Sequence, residues 1–187
     1  MKTRQILLLV LVTSVMSCGT KNSCDVDGAD ESTCKSIYVG PELSCGCGLG
    51  VDSSERDRDW LTDMHGFMGM SYPSGQTWGA VFITVGGDPV APPRPSADFS
   101  HCRRLSVDLR GKAGGEMLQI GIKDNTDPDD GTETKIPVRC SSSWTSYEFE
   151  LADFDTADLK RLYLVCEFVF AGPKAQTVYF RNVRYLR

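Results

Sequence analysis

The chain of 187 residues carries 20 Lys and Arg against 25 Asp and Glu, which gives a formal net charge of −5. Nucleic acids and anionic membrane surfaces are bound through basic surfaces, so this balance argues against both as partners. Eight cysteines are many for this length and indicate an oxidising compartment in which disulfides form. The length suits one domain with a tail.

The first 18 residues have the features of an export signal. Lys2 and Arg4 precede an apolar run at residues 6–12, which is too short to span a bilayer. The residues Val15-Met16-Ser17-Cys18 resemble the lipobox of bacterial lipoproteins, and this resemblance implies cleavage before Cys18 and lipidation of that cysteine. The alternative is an ordinary secretory signal that contains a cysteine. In both cases residues 1–17 are predicted to be a signal peptide outside the fold.

A lipidated Cys18 would make the membrane a partner through the anchor rather than through basic side chains. The resemblance therefore implies a protein of the bacterial cell envelope. Gly19 is not the Asp retention signal of some bacteria, so the outer membrane is favoured. Display toward the periplasm or the exterior stays open, and any protein partner is unknown.

Residues 18–59 are polar and rich in Gly, Ser and Asp, with few large apolar side chains. Such a segment cannot bury enough apolar surface to fold alone, so we predict a flexible Cys-rich tether. We expect local disulfides among its cysteines Cys24, Cys34, Cys45 and Cys47. With Cys18 lipidated an odd number of cysteines remains, and Cys166, on the apolar side of its strand, is expected to be buried.

From residue 60 onward, short runs rich in β-branched and aromatic residues alternate with Gly, Pro and Asp. Alternation with a period of two predicts strands that have one buried face. The runs give eight strands, at residues 64–72, 78–85, 105–109, 118–123, 132–138, 147–151, 162–170 and 177–186. No amphipathic helix separates them, so residues 60–187 are predicted to form an all-β, two-sheet antiparallel β-sandwich.

The order of these strands carries a family resemblance. Residues 99–111, 118–124, 144–151 and 177–185 resemble, in order, strands of the galactose-binding-like jelly rolls, in particular carbohydrate-binding modules of family 11 and its relatives. The resemblance covers about residues 64–187 and implies a ligand site on the concave sheet. The family's closing strand commonly carries an Asp-Asp pair that helps to bind calcium. Here the pair is Arg181-Asn182, so the resemblance does not extend to that calcium site.

Strand alternation selects the candidate ligand-binding residues. If Leu118, Ile120 and Ile122 face the core, Lys123 faces outward, and the same alternation places Tyr163 and Glu167 on the outer face of their strand. A sugar-binding face needs aromatic rings and hydrogen-bonding groups together. The candidates are Trp78, Lys123, Glu133, Lys135, Tyr163 and Glu167. The alternatives are solvated strand faces with cross-strand ion pairs and, for Trp78, packing in the core.

Residues 124–131 concentrate four carboxylates, those of Asp124, Asp127, Asp129 and Asp130. Oxygen ligands of this kind suit calcium, so the segment is a candidate site for a structural calcium ion. The spacing does not fit an EF-hand. The alternative is a polar turn in which Asp and Gly serve the turn geometry.

The predicted function is non-catalytic recognition of a glycan or polysaccharide by a membrane-anchored lipoprotein. One alternative is a structural or protein-interaction envelope lipoprotein without a sugar site. A third is a glycoside hydrolase that uses two carboxylates, which a pocket enclosing such a pair about 5–9 Å apart would favour. His65 and His101 are the chain's two histidines, and no nucleophile or metalloprotease motif accompanies them.

Overall fold

Two antiparallel β-sheets pack face to face in the computed structural model, which describes residues 32–40, 42–44, 46–87 and 92–187. Two short 3₁₀ turns, Leu151–Asp153 and Leu159–Arg161, interrupt an otherwise β chain. The strands are β1 (Thr33–Val39), β2 (Glu42–Leu43), β3 (Cys47–Ser53), β4 (Leu61–Asp63), β5 (Met68–Tyr72), β6 (Trp78–Val85), β7 (Arg104–Gly111), β8 (Met117–Asp124), β9 (Lys135–Arg139), β10 (Thr145–Glu150), β11 (Leu162–Ala171) and β12 (Gln176–Leu186).

The larger sheet has seven strands in the order β10-β7-β12-β1-β2, with β5 also pairing with β12 and β4 with β5. The smaller sheet has five strands in the order β3-β6-β11-β8-β9. All of the pairings between these strands are antiparallel, and the predicted two-sheet sandwich is confirmed. Within the described ranges, no helix has the length and apolar character needed to cross a bilayer.

Each of the eight predicted strands is present, but the sandwich begins before residue 60. Strand β1 adds to the larger sheet beside β12, and β3 adds to the smaller sheet beside β6. Ile37 and Tyr38 of β1 are fully or almost fully buried. The prediction of a tether over residues 18–59 is therefore wrong for residues 33–53, and residues 1–31 lie outside the described residues.

The core lies between the sheets and is rich in aromatic rings. Phe168 of β11 and Phe180 of β12 stack across the two layers with ring centroids 4.5 Å apart. Tyr185 donates a hydrogen bond from its hydroxyl to the backbone oxygen of Val165, 2.6 Å away in the opposite sheet. Trp60 packs edge-on against Phe170 and is 3% exposed, so it closes one end of the sandwich.

Strand β11 departs from simple alternation because its register shifts. Pairing with β6 shifts between Leu164 and Cys166. Val165 and Cys166 are consequently both buried in the core, whereas Leu164 lines the outer face of the sheet. The alternation that predicts Tyr163 and Glu167 on the outer face also predicts Leu164 in the core and Val165 outward. The prediction for Leu164 and Val165 is wrong because of this register shift, while the burial predicted for Cys166 is confirmed.

A disulfide joins Cys34 of β1 to Cys102, which lies two residues before the start of β7. The pairing connects the N-terminal strand to the rest of the sandwich, so the expectation of local disulfides is wrong for Cys34. Cys140 and Cys166 are buried thiols. Cys18, Cys24 and Cys45 lie outside the described residues.

We expect Cys34→Ser to lower the free energy of unfolding by about 4 kcal/mol, because the bond closes a long loop and restricts the unfolded chain. The two cysteines are 68 positions apart. Urea unfolding followed by tryptophan fluorescence would measure the change. Reducing agent should destabilise the native protein in the same way and have a much smaller effect on the variant. Equal urea midpoints for the native protein and Cys34→Ser would contradict this role.

Candidate functional site

A cleft of about 770 Å³ lies on the outer face of the five-stranded sheet. Its floor comes from the side chains of β6, β11 and β8 that point away from the core, and β3 and β9 form its sides. Its lining residues are Asp52, Trp78, Ala80, Phe82, Thr84, Arg94, Gln119, Lys123, Asp129, Asp130, Gly131, Glu133, Lys135, Tyr163, Leu164, Glu167, Val169, Phe170 and Ala171.

Strand pairing explains why these side chains meet. Glu167 of β11 lies opposite Phe82 of β6 on one side and Gly121 of β8 on the other. Gly121 in turn lies opposite Lys135 of β9. Residues directly opposite one another project to the same side of a sheet. The side chains of Phe82, Glu167 and Lys135 therefore form a row across the cleft, from the ring of Phe82 to the ammonium group of Lys135.

All six residues selected from the sequence line this one cleft, although their exposure differs from the expectation. The four side chains expected on a solvated face are Lys123, Glu133, Tyr163 and Glu167, and all four are buried. Trp78 is 43% exposed, so it is not a core residue. The strand alternation therefore placed these residues correctly on one face but did not reveal the depth of the cleft.

Glu133 is the centre of a buried charge cluster. Its Oε1 accepts from Lys135 Nζ at 2.7 Å and lies 3.2 Å from Lys123 Nζ. Burial alone would raise the pKa of Glu133, but the hydrogen bond from Lys135 and the charge of Lys123 lower it to about 2. Burial likewise opposes the charge of Lys123, yet the carboxyl groups of Glu167 and Glu133 raise its pKa above the ordinary value. Glu133 and Lys123 are therefore both charged at neutral pH.

The pKa of Glu167 is raised, whereas that of Glu133 is lowered. Glu167 is 3% exposed, and its Oε1 lies where a Cβ on Gly121 would be, so only glycine fits at that position. Burial raises the pKa of Glu167 to about 8; the charge of Lys123 opposes the increase, and the charge of Glu133 adds to it. At neutral pH Glu167 is mostly protonated. Glu133 Oε2 and Glu167 Oε1 are both buried and find no hydrogen-bond partner among the described residues.

Two carboxyl groups with such different pKa values resemble the acid and base of a glycosidase. The carboxylate of Glu133, however, is paired with the ammonium groups of Lys123 and Lys135, and its lowered pKa makes it a weak base. This pairing does not favour hydrolysis by two carboxyl groups.

Arg94 closes one end of the cleft. Its guanidinium donates to the backbone oxygen of Asp127 at 2.9 Å, forms an ion pair with Asp129, and lies over the ring of Tyr163 at 5.2 Å. Arg94 lies in the segment between β6 and β7, whereas Asp127 and Asp129 lie in the segment between β8 and β9. Their contacts therefore join the two segments above the start of β11. Sequence reasoning missed Arg94 because nothing in its proline-rich surroundings indicates which strand end it covers.

Phe82 provides a second aromatic surface that sequence reasoning missed. It lies on the outer face of β6 together with Trp78 and is half-buried. Its ring occupies the space that a side chain on Gly50 of β3 would need, with ring carbons 2.4 Å from the ideal Cβ position. Alternation from Trp78 along β6 would have identified Phe82, since residues two apart share a face.

The four aspartates proposed as calcium ligands do not converge on one point. Asp124 accepts from the backbone and hydroxyl of Thr126, and Asp130 is bonded to Thr132 in the same manner. Asp127 and Asp129 each lie 3.6 Å from the ammonium of Lys123. Protein cations and local turns thus already engage these oxygens, so they do not fit a calcium site as arranged, and the calcium ion stays a prediction.

On the closing strand, Arg181 and Asn182 both donate to Asp108 Oδ2, at 3.2 and 2.8 Å. This carboxylate is therefore also satisfied by protein groups. Among the described residues, the one group of three potential ligand atoms within 4.8 Å of one another is Cys34, His101 and Cys102. Its two sulfur atoms form the disulfide, so it is not a metal site.

Comparison with known proteins supports the fold. No family model and no curated protein matches the chain. Among solved structures, a variant of a family 29 carbohydrate-binding module in complex with mannohexaose is similar, with a TM-score of 0.55 and 13% identity over 81% of this chain and 89% of that one. The family 11 module of Clostridium thermocellum in complex with a β-1,3-1,4-mixed-linked tetrasaccharide has a TM-score of 0.50 and 14% identity over 75% and 83%.

The family 30 module of a cellulosomal cellulase of Clostridium thermocellum is also similar, with a TM-score of 0.50 and 17% identity over 81% of this chain and 92% of that one. At such low identity these likenesses show the fold alone. The chain is an antiparallel β-sandwich of the kind found in carbohydrate-binding modules.

The pKa of Glu167 predicts a pH-dependent stability difference. Between the ordinary pKa of 4.5 and about 8, the unfolded chain has lost a proton that folded Glu167 keeps, so the free energy of unfolding falls as pH rises. Glu167→Gln cannot ionise. We therefore expect the variant to gain stability relative to the native protein from pH 5 to pH 8, at up to about 1.4 kcal/mol for each unit of pKa difference.

Urea unfolding at pH 5, 6.5 and 8 would measure this difference. Glu148→Gln is the matched control because Glu148 lies on the other sheet with its side chain 43% exposed. Its stability should follow that of the native protein across the same range. Parallel curves for the native protein and Glu167→Gln would show that Glu167 is ionised in the folded state.

Proposed function

We propose that the protein is a non-catalytic glycan-binding module and that the cleft on the five-stranded sheet is its binding site. The observation that carries the proposal is the cleft itself, which combines accessible aromatic surface with buried hydrogen-bonding groups. Trp78 and Phe82 offer ring faces for the C–H surfaces of pyranoses. Lys123, Lys135 and Gln119 offer hydrogen-bond donors for hydroxyl oxygens. The volume is within the usual range for a ligand pocket of about 300–1,000 Å³.

The similarity to solved carbohydrate-binding modules supports the same proposal. Two of the similar modules hold mannohexaose and a β-1,3-1,4-mixed-linked tetrasaccharide, so these oligosaccharides are the first ligands to test. Pairing of the Glu133 carboxylate with Lys123 and Lys135 favours binding over hydrolysis. A structural or protein-interaction role without a sugar site is the competing function.

We further propose that the module is displayed from a membrane by a lipid on Cys18. Support comes from the sequence alone: the basic and apolar start of the chain followed by Val15-Met16-Ser17-Cys18. Attachment to the outer membrane of a bacterial envelope follows from this reading. Metabolic labelling with a radioactive fatty acid in a bacterial host would test it. Cys18→Ser should abolish labelling, and equal labelling of both proteins would refute the anchor.

Glycan binding is tested with the full chain on a polysaccharide array, followed by calorimetry with oligosaccharides. A fragment of residues 60–187 is unsuitable, because it lacks β1 and β3. We expect Trp78→Ala and Phe82→Ala each to weaken binding by about tenfold, equivalent to about 1.4 kcal/mol, through loss of ring stacking on the sugar.

Trp144→Ala is the matched control. Trp144 contacts Arg110 and Arg181 on the other sheet, outside the cleft, so its loss should leave the affinity unchanged. Circular dichroism would verify that all three variants are folded. Absence of binding to every glycan would refute the proposed function and favour the structural or protein-interaction role. Equal loss of affinity in all three variants would mean that the cleft is not the site.

A further inference from the structure

The cleft becomes deeper along the direction of its strands. At one end, the start of β6, Trp78 is 43% exposed and lies opposite the exposed Ala171. Because Val169 of β11 pairs with Gln119 of β8, Met117 of β8 lies opposite Ala171, on the side away from Trp78. Met117 is 49% exposed. This end is a flat, open, apolar surface that spans three strands.

The opposite end is enclosed and charged. The side chain of Arg94 is 11% exposed, that of Lys123 is 10% exposed, and that of Glu133 is 3% exposed. Arg94 bridges the two segments on either side of β11 through its bonds to Asp127 and Asp129. The distance from Trp78 to this end is about 20 Å, since Thr84 is six positions after Trp78 in β6 and each step advances about 3.3 Å.

We propose that the cleft recognises the end of a glycan chain rather than its interior. This inference rests on the proposed function and specifies which part of the ligand the site holds. A chain that enters over Trp78 and Met117 meets the bridge of Arg94 and Asp129, so its terminal sugar stops there. A chain interior would have to continue through this bridge.

The chemistry of the closed end suits a terminal sugar. A terminal residue carries a hydroxyl that an internal residue uses in its glycosidic bond. Glu167 is 3% exposed and lines the closed half of the cleft, and its Oε1 has no hydrogen-bond partner in the described part of the chain. Glu133 Oε2 likewise has none there, and the ammonium group of Lys123 lies beside the same carboxylate and can donate. A hydroxyl donates and accepts at once, so it matches this mixture of groups.

The test uses the full chain with manno-oligosaccharides and β-1,3-1,4-gluco-oligosaccharides of two to six sugars, together with the oligosaccharides of any other polysaccharide bound on the array. Each is compared with a form reduced by borohydride at its reducing end and a form blocked by a benzylidene group at its non-reducing end. We expect one of the two modifications to weaken binding by about tenfold or more, and the affinity to change by less than about twofold between four and six sugars, because about four sugars fill the cleft from its closed end to Trp78.

The two modified forms distinguish the reducing from the non-reducing terminus. Affinity that is unchanged by both modifications, or that continues to rise with chain length, would overturn the inference while leaving the proposed function intact. Failure of every unmodified glycan to bind would instead refute the proposed function, and this inference with it.

Opening the bridge provides an independent test. We expect Arg94→Ala to restore binding of the end-modified oligosaccharide to within about threefold of the unmodified one, because the chain can then extend past the closed end. Asp129→Asn removes the other half of the ion pair and should act in the same direction. The matched control is Arg104→Ala, which breaks an ion pair with Glu148 on the opposite sheet. Unchanged discrimination in both bridge variants would overturn the inference.

Discussion

The cleft depends on keeping a lysine and two glutamates out of water on the outer face of one sheet. A buried charge is costly unless it is paired, so each member of the group constrains the others. One oxygen of Glu133, Oε1, is paired with two ammonium groups, and Glu167 avoids the cost by keeping its proton. The arrangement requires the absence of a side chain at Gly121, and it requires the segment after β8 to fold back so that Glu133 reaches Lys123. The depth of the cleft and the predicted pH dependence of the free energy of unfolding both follow from this one cluster.

Much of the fold could be predicted from the sequence because strand alternation is a local signal. Residues such as Leu118, Ile120 and Ile122 repeat every second position, and all three are buried in the core. The same alternation places Lys123 and Glu167 on the opposite face, where both line the cleft. What alternation cannot predict is exposure, because that depends on loops that come from distant parts of the chain. Arg94 is 29 positions before Lys123 in the sequence, yet it contributes to the same closed end.

The missed strands have a different cause. Strand β3 contains Gly48 and Gly50, which lower its apparent tendency to form a strand. Neighbouring residues leave no room for a side chain at either glycine. The backbone of Gly87 lies 2.2 Å from the ideal Cβ position of Gly48, and the ring of Phe82 occupies the place that a side chain at Gly50 would take. A composition that suggests a tether therefore reflects close packing against residues far along the chain. Leu164 was misplaced because a register shift is a property of two paired strands, not of one sequence.

The fold that this chain shares with other β-sandwiches does not by itself determine a ligand. A β-sandwich supplies a concave sheet, but the residues that decide what enters it lie on the connecting segments and on the outward positions of the strands. In this chain the connecting segments carry Arg94 and Asp129, which close one end, while Trp78 at the start of β6 leaves the other end open. Since the closing residues are charged and paired with one another, they form a fixed boundary rather than a flexible lining. Under the proposed function, the position of that boundary, more than the likeness to other sandwiches, would determine which part of a glycan chain the cleft holds.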